Sequence, residues 1–138
     1  MTLLLYVLLF IICIIITSTT KEPAEFSLLR DRYNKFINIL PDKYDKLRNK
    51  STLVCLLGKG ELGYNINKGH EIAICHDKDV NSMFHVLLHE LAHCTVEEYE
   101  HSDEFWKNTM ELTKLAVDSG MYKAISTHKK FCGDTIRD

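Results

Sequence analysis

The sequence predicts a small α+β domain behind an N-terminal apolar helix. Three observations lead there. Residues 3–16 form a run with no charge, no Gly and no Pro. Three short strand-type runs follow between residues 52 and 75, and two amphipathic helical patterns follow between residues 80 and 118. At 138 residues the chain is long enough for one domain with one modest core.

Extended to residues 2–20, the apolar run would make a helix roughly 28 Å long, close to the thickness of a thin bilayer. It is apolar on every face, which disfavours a place in a water-soluble core. Two readings compete: a retained transmembrane anchor, and a signal peptide cut near Ser18. The segment before the run carries no Lys or Arg, and the candidate cut site offers Thr and Ser without Ala, so the anchor is preferred. The expected division is an anchor over residues 1–20 and a folded domain over residues 21–138. Lys21, Arg30, Arg32 and Lys35 flank the run on its C-terminal side, which predicts a single-pass topology with the domain facing the cytosol.

Residues 25–40 repeat apolar side chains (Phe26, Leu29, Tyr33, Phe36, Ile37, Leu40) at spacings of three and four, a helix that Pro41 ends. Residues 52–57 read as a buried strand and Gly58, Gly60 and Gly63 as turn punctuation. Residues 64–67 and 70–75 read as further strands, the second alternating Ile72 and Ile74 onto one face. A helix is expected from Val80 to about Val96, capped by Asp79 or Asn81, with Phe84, Leu87, Leu88, Leu91 and Thr95 as its core stripe. Ser102 caps a last helix that runs to about Asp118 and stops at Gly120. Residues 121–138 look irregular, with Phe131 and Ile136 as anchors onto the core.

The net charge of −2 gives no reason to expect nucleic acid as a partner. Residues 51–100 hold eight Asp/Glu against three Lys/Arg, a balance that suits a divalent cation and repels phosphates. The five cysteines include no Cys-x-x-Cys pair, so a Cys-type zinc knuckle is not indicated. Apart from Cys13 in the apolar run, four could in principle form two disulfides, but the preferred reading is free, mostly buried thiols in a reducing compartment.

Function is concentrated in residues 89–101, HELAHCTVEEYEH. His89 and His93 are four apart, so a helix places both imidazoles on one face, able to share one metal ion. Glu90 projects from the rim of that face, within reach of a water on the metal. This is the His-Glu-x-x-His arrangement of zinc hydrolases. His101 lies eight residues after His93, about 12 Å farther along a continuous helix, so the helix must end soon after His93 and the chain must double back. Three His ligands leave an open position, the mark of a catalytic zinc. Zinc there lowers the pKa of a water toward neutrality, and Glu90 takes its proton and later hands it to the leaving amine. Glu97, Glu98 and Glu100 are alternative third ligands, more simply read as a solvated acidic face. His85, one turn before His89, reads as cleft wall. His70, His76 and His128 read as ordinary surface or strand-edge histidines. Tyr99 and Tyr122 are candidate oxyanion stabilisers, though either is more often a packing residue.

The stretch HELAHCTVEEYEHSDEFW, with Phe105 and Trp106 after the third histidine, resembles the WLM metalloproteases, a zincin family related to the SprT-like proteases. The preceding HEIAIC and the later GMYK and FCG also match short WLM domains, including those of large DNA viruses, and the resemblance covers roughly residues 26–136. It implies a small zincin-like fold, a short sheet packed on the motif helix beside a cleft. An exposed edge strand over residues 70–75 would take an extended peptide. Glu100 stands where the family commonly has glycine, which makes the bend less permissive.

The combined expectation is a membrane-anchored, zinc-dependent metallopeptidase. Zn2+ is held by His89, His93 and His101, Glu90 is the base, and the partners are a protein or peptide substrate and, through residues 2–20, a membrane. The rival is a non-catalytic zinc-bearing membrane scaffold, which has no need of a base at position 90.

Overall fold

The computed structural model describes residues 1–19, 21–58 and 60–138. Helix α1 (Thr2–Thr19) is followed by α2 (Ala24–Ile39), a 3-10 segment (Asp42–Arg48) and strands β1 (Thr52–Leu56), β2 (Gly63–Ile66) and β3 (Glu71–Cys75). Helices α3 (Val80–His93) and α4 (Asp103–Asp118) and a hairpin of β4 (Lys129–Phe131) and β5 (Asp134–Ile136) complete the chain.

The three-stranded sheet has the order β1-β3-β2, with β1 parallel and β2 antiparallel to β3. Its middle strand β3 is buried along Ile72, Ala73, Ile74 and Cys75, as a strand covered on both faces must be. One side of the core is α2, which buries Phe26, Leu29, Tyr33, Phe36 and Ile37. Phe36 meets Phe84 of α3 edge to face at 5.5 Å between ring centres. Helix α4 adds Phe105, Leu112 and Ala116 from the other side of α3. The expected α+β arrangement of a short sheet packed on the motif helix is present in these elements.

The transmembrane part of the expected fold is corrected. Among the described residues no helix is long and apolar enough to cross a membrane. Helix α1 has 18 residues, and it begins and ends on hydroxyl side chains. Its uninterrupted apolar run, residues 3–16, spans only about 21 Å, against a hydrocarbon core of about 30 Å. The expected single-pass location and the cytosol-facing orientation lose their support with it. Thr20, the expected last residue of that segment, lies outside the described residues.

Three further expectations change. Residues 70–75 were expected at a sheet edge; β3 is central, and the free edges belong to β1 and β2. The irregular C-terminal tail contains a hairpin, whose two central residues Cys132 and Gly133 both have positive φ (47° and 84°), the backbone a tight two-residue turn needs. Cys75 and Cys132 form a disulfide that ties the end of β3 to this hairpin, so the reading of all cysteines as free thiols holds only for Cys13, Cys55 and Cys94.

Candidate metal centre

Helix α3 starts on Asp79, whose carboxylate accepts from the Asn81 N–H (3.2 Å) and the Ser82 hydroxyl (2.7 Å). Of the two expected caps, Asp79 is the one used. Asn81 instead brackets Lys123, giving to its carbonyl and accepting from its N–H, both at 2.8 Å. The helix stops at His93, earlier than Val96. Its last turn tightens, with Cys94 N–H donating to the Leu91 carbonyl and Thr95 N–H to the Ala92 carbonyl, each at 3.0 Å.

Side chains from β2 and the turn after it hold that end in place. Asn65 donates to the Glu90 carbonyl at 3.0 Å and to Cys94 Sγ at 3.1 Å, and accepts from the Gly69 N–H at 3.0 Å. Lys68 donates to the His93 carbonyl at 3.2 Å and to the Glu98 carbonyl. Its ammonium also lies 4.2 Å from the Tyr99 ring centre. A cation on the free carbonyls of a helix C-terminus is favoured by the helix dipole. Lys68 thus closes the loop that carries the chain back from His93 toward His101. The bend is made without a positive φ at Glu100, so the missing glycine is not needed there. Ser102 then opens α4, its hydroxyl accepting from the Phe105 N–H at 3.1 Å.

The result is convergence. One ligand atom from each of His89, His93 and His101 lies within 4.8 Å of the others. The Nε2 atoms of His93 and His101 are 3.1 Å apart. Two nitrogens on a tetrahedral zinc, each about 2.0–2.1 Å from it, would be about 3.3 Å apart, so the donor set fits that ion. Phe105 packs on all three imidazoles, with ring centres 5.1, 4.4 and 4.7 Å from His89, His93 and His101. Trp106 lies 6.2 Å from His89 and 5.4 Å from His101. This aromatic pair fixes the rings and strips water from one side of them.

The electrostatics follow from burial. His89 is held down to about 4, first by desolvation and then by repulsion from His93, His101 and His85. His93 is lowered by the same two effects, with Lys68 adding to them. Both imidazoles are therefore neutral at pH 7, the form that binds a metal. Glu90 is 8% exposed, and burial, with Glu61 adding repulsion, pushes it up to about 7. Cys94 is driven up to about 11 by burial and serves as a packing thiol rather than a nucleophile.

Gly63, the first residue of β2, is in tight contact with this machinery. A Cβ there would meet the Ala73 carbonyl oxygen at 2.7 Å, Val86 at 2.9 Å and Glu90 Oε1 at 3.7 Å. The edge strand beside the glutamate is thus β2, in place of the expected residues 70–75.

The other sequence candidates are not members of the three-histidine group. Glu97 pairs with Lys46, and Glu98 accepts from the Ser102 hydroxyl. His85 Nδ1 lies 3.1 Å from the Tyr122 hydroxyl and 3.0 Å from Asp138 Oδ1. Tyr122 donates to Asp138 at 2.6 Å and is buried, which takes its hydroxyl away from a substrate oxygen. Tyr99 is 78% exposed, with its ring face under Lys68. His76 is 3.4 Å from Glu25.

Sequence reasoning missed Asn65 and Lys68. Their partners lie about 25 to 30 residues away, and the only local signal was a cluster of turn residues, NKG, at 67–69.

The WLM domain model matches residues 37–137. An uncharacterized protein of Acanthamoeba polyphaga mimivirus is 31% identical, over 78% of this chain and 61% of that protein, so the chain spans about three fifths of the length of that relative. No solved structure matches.

Proposed function

The chain belongs to the WLM family, a zinc metalloprotease-like family, and from that premise we propose that it is a zinc-dependent metallopeptidase. The observation that carries the reading is the meeting of three imidazoles near a buried glutamate, Glu90, on the helix that carries two of them. His89, His93 and His101 would hold the zinc. Bound there, zinc supplies Lewis-acid chemistry, acidifying water and polarising a carbonyl.

The chain's own residues do the rest. Glu90 accepts a proton from the attacking water on its carboxylate and returns it to the departing amine nitrogen. In the metal-free chain burial already raises Glu90 to about 7, so the protein pocket itself favours a carboxyl that takes up a proton. The free edge of β2 can pair with an extended peptide backbone and lay it past Glu90. Phe105 and Trp106 keep the imidazoles oriented. A purely structural zinc module would bear the cost of a buried carboxylate at position 90 without using it.

The test is metal content together with peptide cleavage. Wild-type protein is expected to hold one zinc per chain, to cleave members of a broad peptide library, and to stop when a chelator is added. His93→Ala is expected to lose the metal and the cleavage together. A wild type that binds no zinc on titration, or a chelator-insensitive activity, overturns the reading.

A further inference from the structure

A groove of about 530 Å3 opens beside the histidine cluster and runs between α3 and α4. Leu88 and His89 line it from α3, and Trp106, Met110, Thr113 and Val117 line it from α4. The α4 residues are spaced four, three and four apart, so they form one stripe along the helix. Trp106, Met110 and Val117 are 48%, 73% and 39% exposed, while Phe105, Leu112 and Ala116 on the same helix serve the core. The stripe is thus a second, largely apolar face left exposed among the described residues.

Most polar groups around the groove are already engaged. Asp138 accepts from Tyr122 and the Ile125 N–H and faces His85 Nδ1, and Lys114 pairs with Asp118. What the walls offer an occupant is mainly apolar contact, with Arg137 as a charged member of the lining. The groove is also continuous with the metal centre, because His89 belongs to both. A peptide held with its scissile bond at the three imidazoles therefore has a neighbouring side chain directed into it.

We propose that this groove receives a bulky apolar side chain flanking the cleaved bond, and that Met110 is a specificity-determining residue on its wall. The inference rests on the peptidase reading and adds the substrate class: peptides with Leu, Met, Phe or Ile beside the scissile bond. A seat that buries an apolar side chain discriminates against its absence by about tenfold or more in kcat/KM.

The experiment uses the full chain loaded with zinc. A peptide library first maps the cleaved bond. Matched peptides carrying Leu or Gly at each flanking position then give a Leu-to-Gly ratio of kcat/KM. Wild type is expected to favour Leu about tenfold or more at one position. Met110→Asp, at an exposed site that leaves the core untouched, is expected to bring that ratio close to one by lowering kcat/KM for the Leu peptide. Thr113→Trp, which fills the groove, is expected to do the same. Cleavage with no preference, or a preference that both variants keep, overturns the groove proposal and leaves the peptidase reading standing. A change of oligomeric state in Met110→Asp with an unmoved ratio also overturns it, and makes the stripe an interface between copies. A wild type inert across the whole library defeats the peptidase reading, and the groove proposal with it.

Discussion

Helices α1 and α3 are both rich in large apolar side chains, yet the structure uses them in opposite ways. Helix α3 buries nine of its 14 residues, Glu90 among them, and its three histidines, His85, His89 and His93, are not among those nine. In α1 every described side chain is exposed. The difference lies in pattern rather than in total hydrophobicity. Apolar side chains at spacings of three and four give α3 one face for the core and another for chemistry. A helix apolar all round has no polar face to turn to water, and the described side chains of α1 stay exposed. Apolar content in a sequence therefore says little about what a helix touches; periodicity says much more.

The largest stability effect expected from this contrast is in the α3 core. Leu87 is fully buried, so Leu87→Ala should cost about 3 kcal/mol, within the usual range of about 2–5 kcal/mol for such cavities. Chemical denaturation at pH 7 measures it. A cost below about 1 kcal/mol would mean that α3 is not packed as described.

Next in size is the pH dependence that Glu90 brings to the metal-free chain. Its carboxyl ionises near 7 when folded and near 4.5 in its ordinary state. Between those values the folded chain keeps a proton that the unfolded chain has released. The stability it contributes is full below about 4.5 and is lost as pH rises through 7, up to about 3 kcal/mol in all. His89 acts in the opposite sense, its folded value near 4 lying below its ordinary 6.5, so its share is lost as pH falls between those two. Subtracting the Glu90→Gln profile isolates the glutamate. The wild type should lose ground to Glu90→Gln from pH 4.5 to 8, and parallel profiles would remove the buried-carboxylate account.

The smallest effect belongs to α1. Leu8→Ala should leave unfolding within about 0.5 kcal/mol of wild type, because Leu8 is exposed. A loss above 1 kcal/mol would show that α1 has a packing partner after all, and would end the contrast with α3.

The same contrast marks how far sequence could be read. The motif helix, its Ser102-capped successor and the bend between them were legible because they are local: fixed spacings, a capping residue and a histidine too distant for a continuous helix. Long-range pairings were not. Nothing local tells that β1 pairs parallel with β3 and so puts β3 in the middle of the sheet. The Cys75–Cys132 bridge joins residues 57 apart, and an odd number of cysteines gives no pairing. The β4–β5 turn had a trace in the Gly133 that follows Cys132, but strands of three residues carry too little alternation to announce themselves. Asn65 and Lys68 became visible as supports only once β2 and the turn after it were placed against the end of α3.

The most direct test of the central claim is Glu90→Gln, assayed for zinc and for peptide hydrolysis in the same preparation. The substitution keeps the size of the side chain and all three imidazoles. The account predicts one zinc per chain in both proteins and a loss of hydrolysis of at least about 10²-fold in the variant. Equal hydrolysis by the two proteins, with zinc retained in both, would contradict it.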